Sequence, residues 1–333
     1  MNRFPERGTD RCAVCENENL TAFIVREMQI GLREPFEYGR CNRCGAINRL
    51  SKVTELFRFY PSHYYSFLPA QSRSKRKGFA EWLRNRRDRS LLRHHMDPLG
   101  QFLDWVSGGE TTILYRLIGK CRIKLASRVL DVGCGSGNLL HRMAEIGFQN
   151  LLGVDLFFPG TSSCSAGNPR IIKGDLSCVQ IQQFDLIMMH HYFEHAENPF
   201  VQLKLARNLL CSGGILLIRQ PLCDGEAFER YGANWFQLDA PRHAVVHSLA
   251  SMKRLVEKSG MKIQKIVWDS TDQQFWASEQ YLNDIPMYAE ESYLCNSKKA
   301  PFTPEQICNW RREAKILNSR GSGDQAAFFI EVA

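Results

Sequence analysis

Ten residues from Val129 to Asn138, Val-Leu-Asp-Val-Gly-Cys-Gly-Ser-Gly-Asn, place Gly133, Gly135 and Gly137 directly behind an apolar run. Glycine lets backbone N–H groups come close to a ligand, so a loop of this kind between a strand and a helix suits a nucleotide. A dinucleotide fingerprint needs glycine at its first, third and sixth places, and the sixth place here is Asn138. Asp131, two residues ahead of Gly133, disfavours a pyrophosphate and favours a ligand with a cationic group. Two more acids follow short apolar runs, Asp155 in Gly153-Val154-Asp155 and Asp175 in Gly174-Asp175-Leu176.

Cysteine and histidine offer a second kind of chemistry. Cys12-x-x-Cys15 and Cys41-x-x-Cys44, 25 residues apart, have the arrangement of a zinc ribbon, in which each pair forms a knuckle and four thiolates close a tetrahedral structural site. His191, His195 and His243 are candidate general bases, histidine being the side chain that removes a proton near neutral pH. His191-Tyr192-Phe193-Glu194-His195 also spells the H-x-x-E-H pattern of a zinc peptidase. That pattern requires both histidines on one helical face, whereas this pentad follows an apolar strand and leads into Asn198-Pro199, so the peptidase reading is set aside. Arg242 and Trp235, near His243, are candidates to hold a substrate, and Arg242 has a pairing with Asp239 as its alternative.

Elements able to position these residues can be read from the pattern. Short apolar runs predict strands near 128–132, 151–155, 170–173, 184–189, 214–219, 262–268 and 325–332, alternating with helical periods as in a parallel sheet covered on both sides. Ser248 predicts a helix start ended by Gly260, and Thr303-Pro304-Glu305-Gln306 predicts another. Residues 269–323 are too long for a simple connection and are expected to be structured or functional.

At this point the run Val129–Asn138 resembles motif I of the class I S-adenosylmethionine (SAM)-dependent methyltransferases, and Phe184–Pro199 resembles the fourth strand and following loop of the ubiquinone-biosynthesis-type (methyltransferase domain 23) subgroup. The resemblance implies an α/β fold: a Rossmann-like seven-stranded sheet with helices on both faces, plus a small N-terminal zinc ribbon. It implies SAM as cofactor, held by Asp131, Gly133, Cys134, Gly135 and Gly137, with Asp155 on the ribose hydroxyls, Asp175 and Leu176 beside the adenine, and His190 at the end of the fourth strand. The implied organisation is a zinc ribbon at 1–50, an aromatic and basic helical linker or lid at 51–125, and a methyltransferase domain at 126–333 with the insertion 269–323. His243 is favoured over His191 and His195 as base. The implied activity is O-methylation of a sugar or other small hydroxyl acceptor in bacterial polysaccharide or natural-product biosynthesis. An RNA methyltransferase using the ribbon and the basic segment is the alternative, and a non-catalytic binding or scaffold protein is a third reading.

Composition bounds the partners. With 333 residues and 44% hydrophobic side chains the chain can bury a core, and its twelve cysteines without an export signal are read as reduced thiols of a cytoplasmic protein. Residues 73–93 hold nine basic side chains against two acidic ones, nearly the whole net charge of +8. Such a segment could lie on an anionic membrane surface, steer a glycan or phosphorylated small-molecule acceptor, or, less favoured, meet nucleic acid; a solvated helical face is the plain alternative.

Overall fold

The computed structural model describes residues 8–60, 78–93, 97–107, 112–158, 167–180 and 183–333. A hairpin and a short third strand come first: β1 (Leu20–Arg26), β2 (Pro35–Cys41) and β3 (Ile47–Arg49). Three helices follow, α1 (Phe79–Leu92), α2 (Pro98–Ser107) and α3 (Ile113–Lys120). Strands and helices then alternate through β4 (Arg128–Val132), α4 (Asn138–Glu145), β5 (Asn150–Asp155), β6 (Arg170–Lys173), β7 (Phe184–His190), α5 (Pro199–Leu209) and β8 (Leu210–Pro221). The remainder is α6 (Glu226–Tyr231), β9 (Val245–Val246), α7 (Leu249–Lys258), β10 (Met261–Trp268), α8 (Gln273–Leu282), α9 (Pro304–Arg320) and β11 (Gln325–Val332).

Seven strands form one sheet in the order β10-β11-β8-β7-β4-β5-β6. Strands β4 to β8 run parallel, and only β11 runs against its neighbours. This is the α/β architecture expected from the sequence, and its strands read as nearly unbroken apolar runs because helices cover both faces. The chain leaves β4 toward β5 and β6, then returns to lay β7 on the other side of β4. That reversal opens a crevice beyond the carboxyl ends of β4 and β7, where doubly wound sheets bind their ligands. Both the glycine loop and the His190–His195 segment emerge there.

Local signals explain the helix ends. Ser248 caps α7 with Ser251 completing the reciprocal pair, and Thr303 caps α9 with Gln306, Pro304 in the first turn and Gly321 at φ +73 closing its end. Strand β8 starts earlier than the apolar run at Gly214 suggested, because Leu210 pairs with Phe184 across an irregular register. Strand β9 had no pattern of its own, being two residues long. It matters nonetheless: Val246 pairs with Ile47 and Val245 with Asn48, so β1, β2, β3 and β9 make a second sheet that joins the N-terminal region to the stretch after His243. Among the described residues no helix is long and apolar enough to cross a membrane.

Candidate active site

The glycine loop turns sharply between β4 and α4. Gly133 has φ +75 and Gly137 φ +77, and a Cβ on them would come within 2.7 Å of the Tyr192 ring and 2.3 Å of the Ile171 side chain respectively, so only glycine fits either place. Asp155, at the end of β5, locks the mouth of the loop: one carboxylate oxygen accepts the Gly135 N–H at 2.9 Å and the other the Phe157 N–H at 2.8 Å. Asp131 is buried, and burial together with the nearby Asp155 carboxylate pushes its pKa up to about 8. Burial, followed by the Asp131 and Asp155 carboxylates, pushes the Cys134 thiol up. Asp175 is exposed and accepts the Ser177 N–H at 2.9 Å, capping the short turn that contains the buried Leu176.

His190 ends β7 with both ring nitrogens buried and without a partner among the described residues, and burial, with the charge of Arg219, lowers its pKa to about 3. A neutral, unsatisfied imidazole and a buried carboxyl beside a glycine loop fit a ligand that brings both polar atoms and a positive charge, as SAM does.

Next to this crevice lies a cavity of about 480 Å³ walled by His191, His195, Arg219, Asp239, His243 and residues of α8. His191 sits at φ +50, a left-handed conformation that a bulky residue adopts only when its surroundings impose it. Its Nε2 takes a hydrogen bond from the Arg219 guanidinium at 2.7 Å, and Arg219 is itself paired with Asp269. Since arginine can only donate, the proton of His191 is on Nδ1, which donates to Glu194 at 3.1 Å. Both ring nitrogens are thereby committed, and the predicted base His191 becomes an orienting group for Glu194.

Glu194 is fully buried and would be pushed toward neutrality by burial alone; the hydrogen bond from His191, with the other histidines around it, holds it at about 2. His195 donates from Nδ1 to the Arg242 carbonyl at 3.0 Å, and burial followed by the neighbouring His243 lowers its pKa to about 4. His243 donates from Nδ1 to the Gln237 carbonyl at 2.8 Å and sets Nε2 between two carboxylates, 3.7 Å from Asp239 and 3.9 Å from Glu194. The His195 and His243 rings meet edge to face, 4.7 Å between centroids. Tyr60 links the two halves of the site: its ring stacks on Phe157 at 4.7 Å and its hydroxyl lies 3.3 Å from His195 Nδ1.

Two expected substrate contacts are corrected. Arg242 is wholly buried: its guanidinium donates to both oxygens of Asp239, at 2.9 and 2.6 Å, to Glu27 at 3.2 Å and to the Phe59 carbonyl at 2.9 Å, so it faces no cavity. It rigidifies the loop, the other of the two readings its sequence allowed. Trp235 is buried too, its indole N–H donating to Asp324 at 3.0 Å, and it packs in the core against Phe228. Sequence reasoning missed Arg219, Asp269 and Glu27. A charged residue closing the apolar run of β8 was a signal for Arg219; Glu27, in a loop after β1, had none.

The four predicted cysteines come together. Cys12 and Cys44 sulfurs are 3.5 Å apart, Cys15 and Cys41 likewise, and all four lie within 4.8 Å of one another. Tetrahedral thiolates at about 2.3 Å from zinc would stand about 3.8 Å apart, so the cluster fits a four-coordinate ion. This corner grips the loop that carries His243. Tyr38 donates to the His243 carbonyl at 2.8 Å, Arg49 donates to the Pro241 carbonyl at 2.6 Å, and Ser248 donates to the Cys44 carbonyl.

Of the basic segment, Arg73, Lys75, Arg76 and Lys77 lie outside the described residues, as do Tyr64, Tyr65 and Phe67. In α1, Arg86 forms a bidentate pair with Asp97, and Arg87 and Arg142 both pair with Asp88, so part of the charge is neutralised internally. Phe79 and Trp82 are exposed and stack on each other at 5.7 Å.

Residues 92–266 match the family model described as a methyltransferase domain. Over 202 residues the chain is 29% identical to a tRNA U34 carboxymethyltransferase of Aeromonas salmonicida, covering 53% of this chain and 59% of that protein. A tRNA U34 carboxymethyltransferase of Proteus mirabilis is 30% identical over 151 residues, 42% of this chain and 46% of the relative. The chain thus spans roughly half the length of these curated relatives. Among solved structures, a SAM-dependent methyltransferase from Archaeoglobus fulgidus superimposes with a TM-score of 0.41 at 20% identity, over 70% of this chain and 99% of that one.

Proposed function

The chain belongs to the methyltransferase domain family, and from that premise we propose that it moves a methyl group from SAM to a hydroxyl of a nucleoside in RNA. The observation that carries this reading is the cavity of about 480 Å³ lined by His191, His195 and His243, large enough for one nucleoside-sized unit and set beside the glycine loop through Tyr192, the residue after His191, whose ring lies against Gly133. SAM would be held by the glycine loop, Asp131, Asp155 and His190, and supplies a methyl carbon already activated by its sulfonium. What is left to the chain is to place the acceptor in line, exclude water and manage the hydroxyl proton. Substrate entry as a single unit suits a base turned out of its stack. The named curated relatives act on tRNA, which favours RNA over the sugar acceptor expected from the sequence.

A free hydroxyl-bearing small molecule is the second reading, favoured by the pairing of Arg86 and Arg87 within the protein. In both readings the four cysteines hold a structural zinc ion, and residues 1–50 act as the ribbon that braces the His243 loop. Tritiated methyl from SAM, offered with bulk tRNA and with a panel of small hydroxyl acceptors, separates the readings. Label in RNA, together with RNA binding that weakens steeply as salt rises, is expected. Label only in small acceptors, with no RNA retained on a filter at low salt, would overturn the RNA assignment.

A further inference from the structure

We propose that Glu194, His195 and His243 form a divalent-cation site in the wall of the cavity, separate from the four-cysteine cluster. One ligand atom from each of the three lies within 4.8 Å of the others. Both histidines are prepared as ligands: each Nδ1–H is spent on a backbone carbonyl, Arg242 for His195 and Gln237 for His243, which leaves the lone pair on Nε2. Ligating histidines are characteristically fixed in this way. The carboxylate points to the same conclusion independently. Glu194 is fully buried, its Oε1 is held by His191, and its Oε2 has no hydrogen-bond partner among the described residues. An ionised oxygen buried without a donor is costly, and a cation at that point removes the cost.

Two imidazoles and one carboxylate make a three-ligand set with open positions, the pattern favoured by first-row divalent ions. His195 and His243 line the cavity, so the open positions face the acceptor. Metal–ligand distances of about 2.0–2.2 Å require the three side chains to close in by less than about 1 Å each. His191 and Arg219 act behind the carboxylate as positioning residues. Only Glu194 and His195 of the His191–His195 pentad take part, with His243 supplied by a distant loop. A cation there would acidify a hydroxyl facing the cavity, which is what methylation of an oxygen demands. This last consequence rests on the methyl-transfer reading, whereas the site itself does not.

The test is Mn²⁺ titration of the full chain followed by electron paramagnetic resonance, because a hard ion avoids the thiolates. One Mn²⁺ per chain with nitrogen couplings from two imidazoles is expected. Glu194→Gln and His243→Ala should each weaken Mn²⁺ binding at least tenfold while circular dichroism and SAM binding stay unchanged. No Mn²⁺ bound at millimolar concentration, or bound Mn²⁺ without nitrogen couplings, would overturn the site even if both variants failed to fold. Turnover is not used as a readout, so failure of the metal site and failure of the methyl-transfer reading are told apart.

Discussion

Replacing Arg242 by methionine tests whether this side chain is a brace or a substrate contact. Its guanidinium is fully buried between Glu27, also fully buried, and Asp239. Truncation would leave Asp239 without its bidentate partner and Glu27 with only the N–H groups of Ile30 and Leu32. Breaking a buried pair from one side costs about 3–5 kcal/mol, and at roughly 2 °C per kcal/mol for a chain of this size Tm should fall by about 6–10 °C. The pH dependence should change as well. Burial alone would raise the Asp239 carboxyl, but the charge and hydrogen bonds of Arg242 hold it below its ordinary 3.8. A carboxyl depressed in the folded state adds stability above the unfolded value, lost as pH falls through the folded one, so acid sensitivity below about pH 4 should be smaller in the variant. Denaturant melts of the wild type, Arg242→Met, Asp239→Asn and the double variant would give the coupling. A Tm within 2 °C of wild type with a raised KM would refute the brace and return Arg242 to the substrate.

Three other outcomes are expected. Asp131 keeps its proton to about pH 8 when folded but to only about 3.8 when unfolded, so the folded state binds more protons and stability falls as pH rises across that window. SAM binding that ionises Asp131 should tighten by up to about tenfold per pH unit there, and calorimetry on Asp131→Asn should show weaker binding with that slope gone; an unchanged slope would remove Asp131 from the site. His243→Ala should lower turnover by at least about a hundredfold with SAM affinity intact, whether His243 handles the acceptor proton itself or through a bound cation, and unchanged turnover would exclude it from the acceptor site. Stripping metal from the cysteine cluster with a strong chelator should loosen the β3–β9 seam and reduce turnover before it reduces SAM binding; protein purified without chelator and carrying far less than one zinc per chain would refute the ribbon.

The sheet was legible because covered parallel strands leave unbroken apolar runs: the bounds of β4, β6 and β11 follow directly from Arg128–Val132, Arg170–Lys173 and Gln325–Val332. The glycine loop, its following acids and the cysteine quartet were legible for a related reason, since each is a local spacing. Arg242 was not, because its role depends on Glu27, which approaches from the other end of the chain. The grouping of His195 with His243 was equally invisible: it is created by the return of the chain after β8, and no periodicity records which loops meet. A two-residue strand such as β9 carries too little pattern to be seen at all.

That short strand also imposes an order on synthesis. Asn48 must wait for Val245 before β3 gains its last neighbour. At about 5–20 residues per second the ribosome needs roughly 10–40 s to deliver the missing partner. During that interval the cysteine knuckles are already outside the ribosome and can load metal, while β3 presents an open edge. A chain released before that point would therefore keep the open edge of β3 and lack the loop that carries His243, whatever its cysteines had bound.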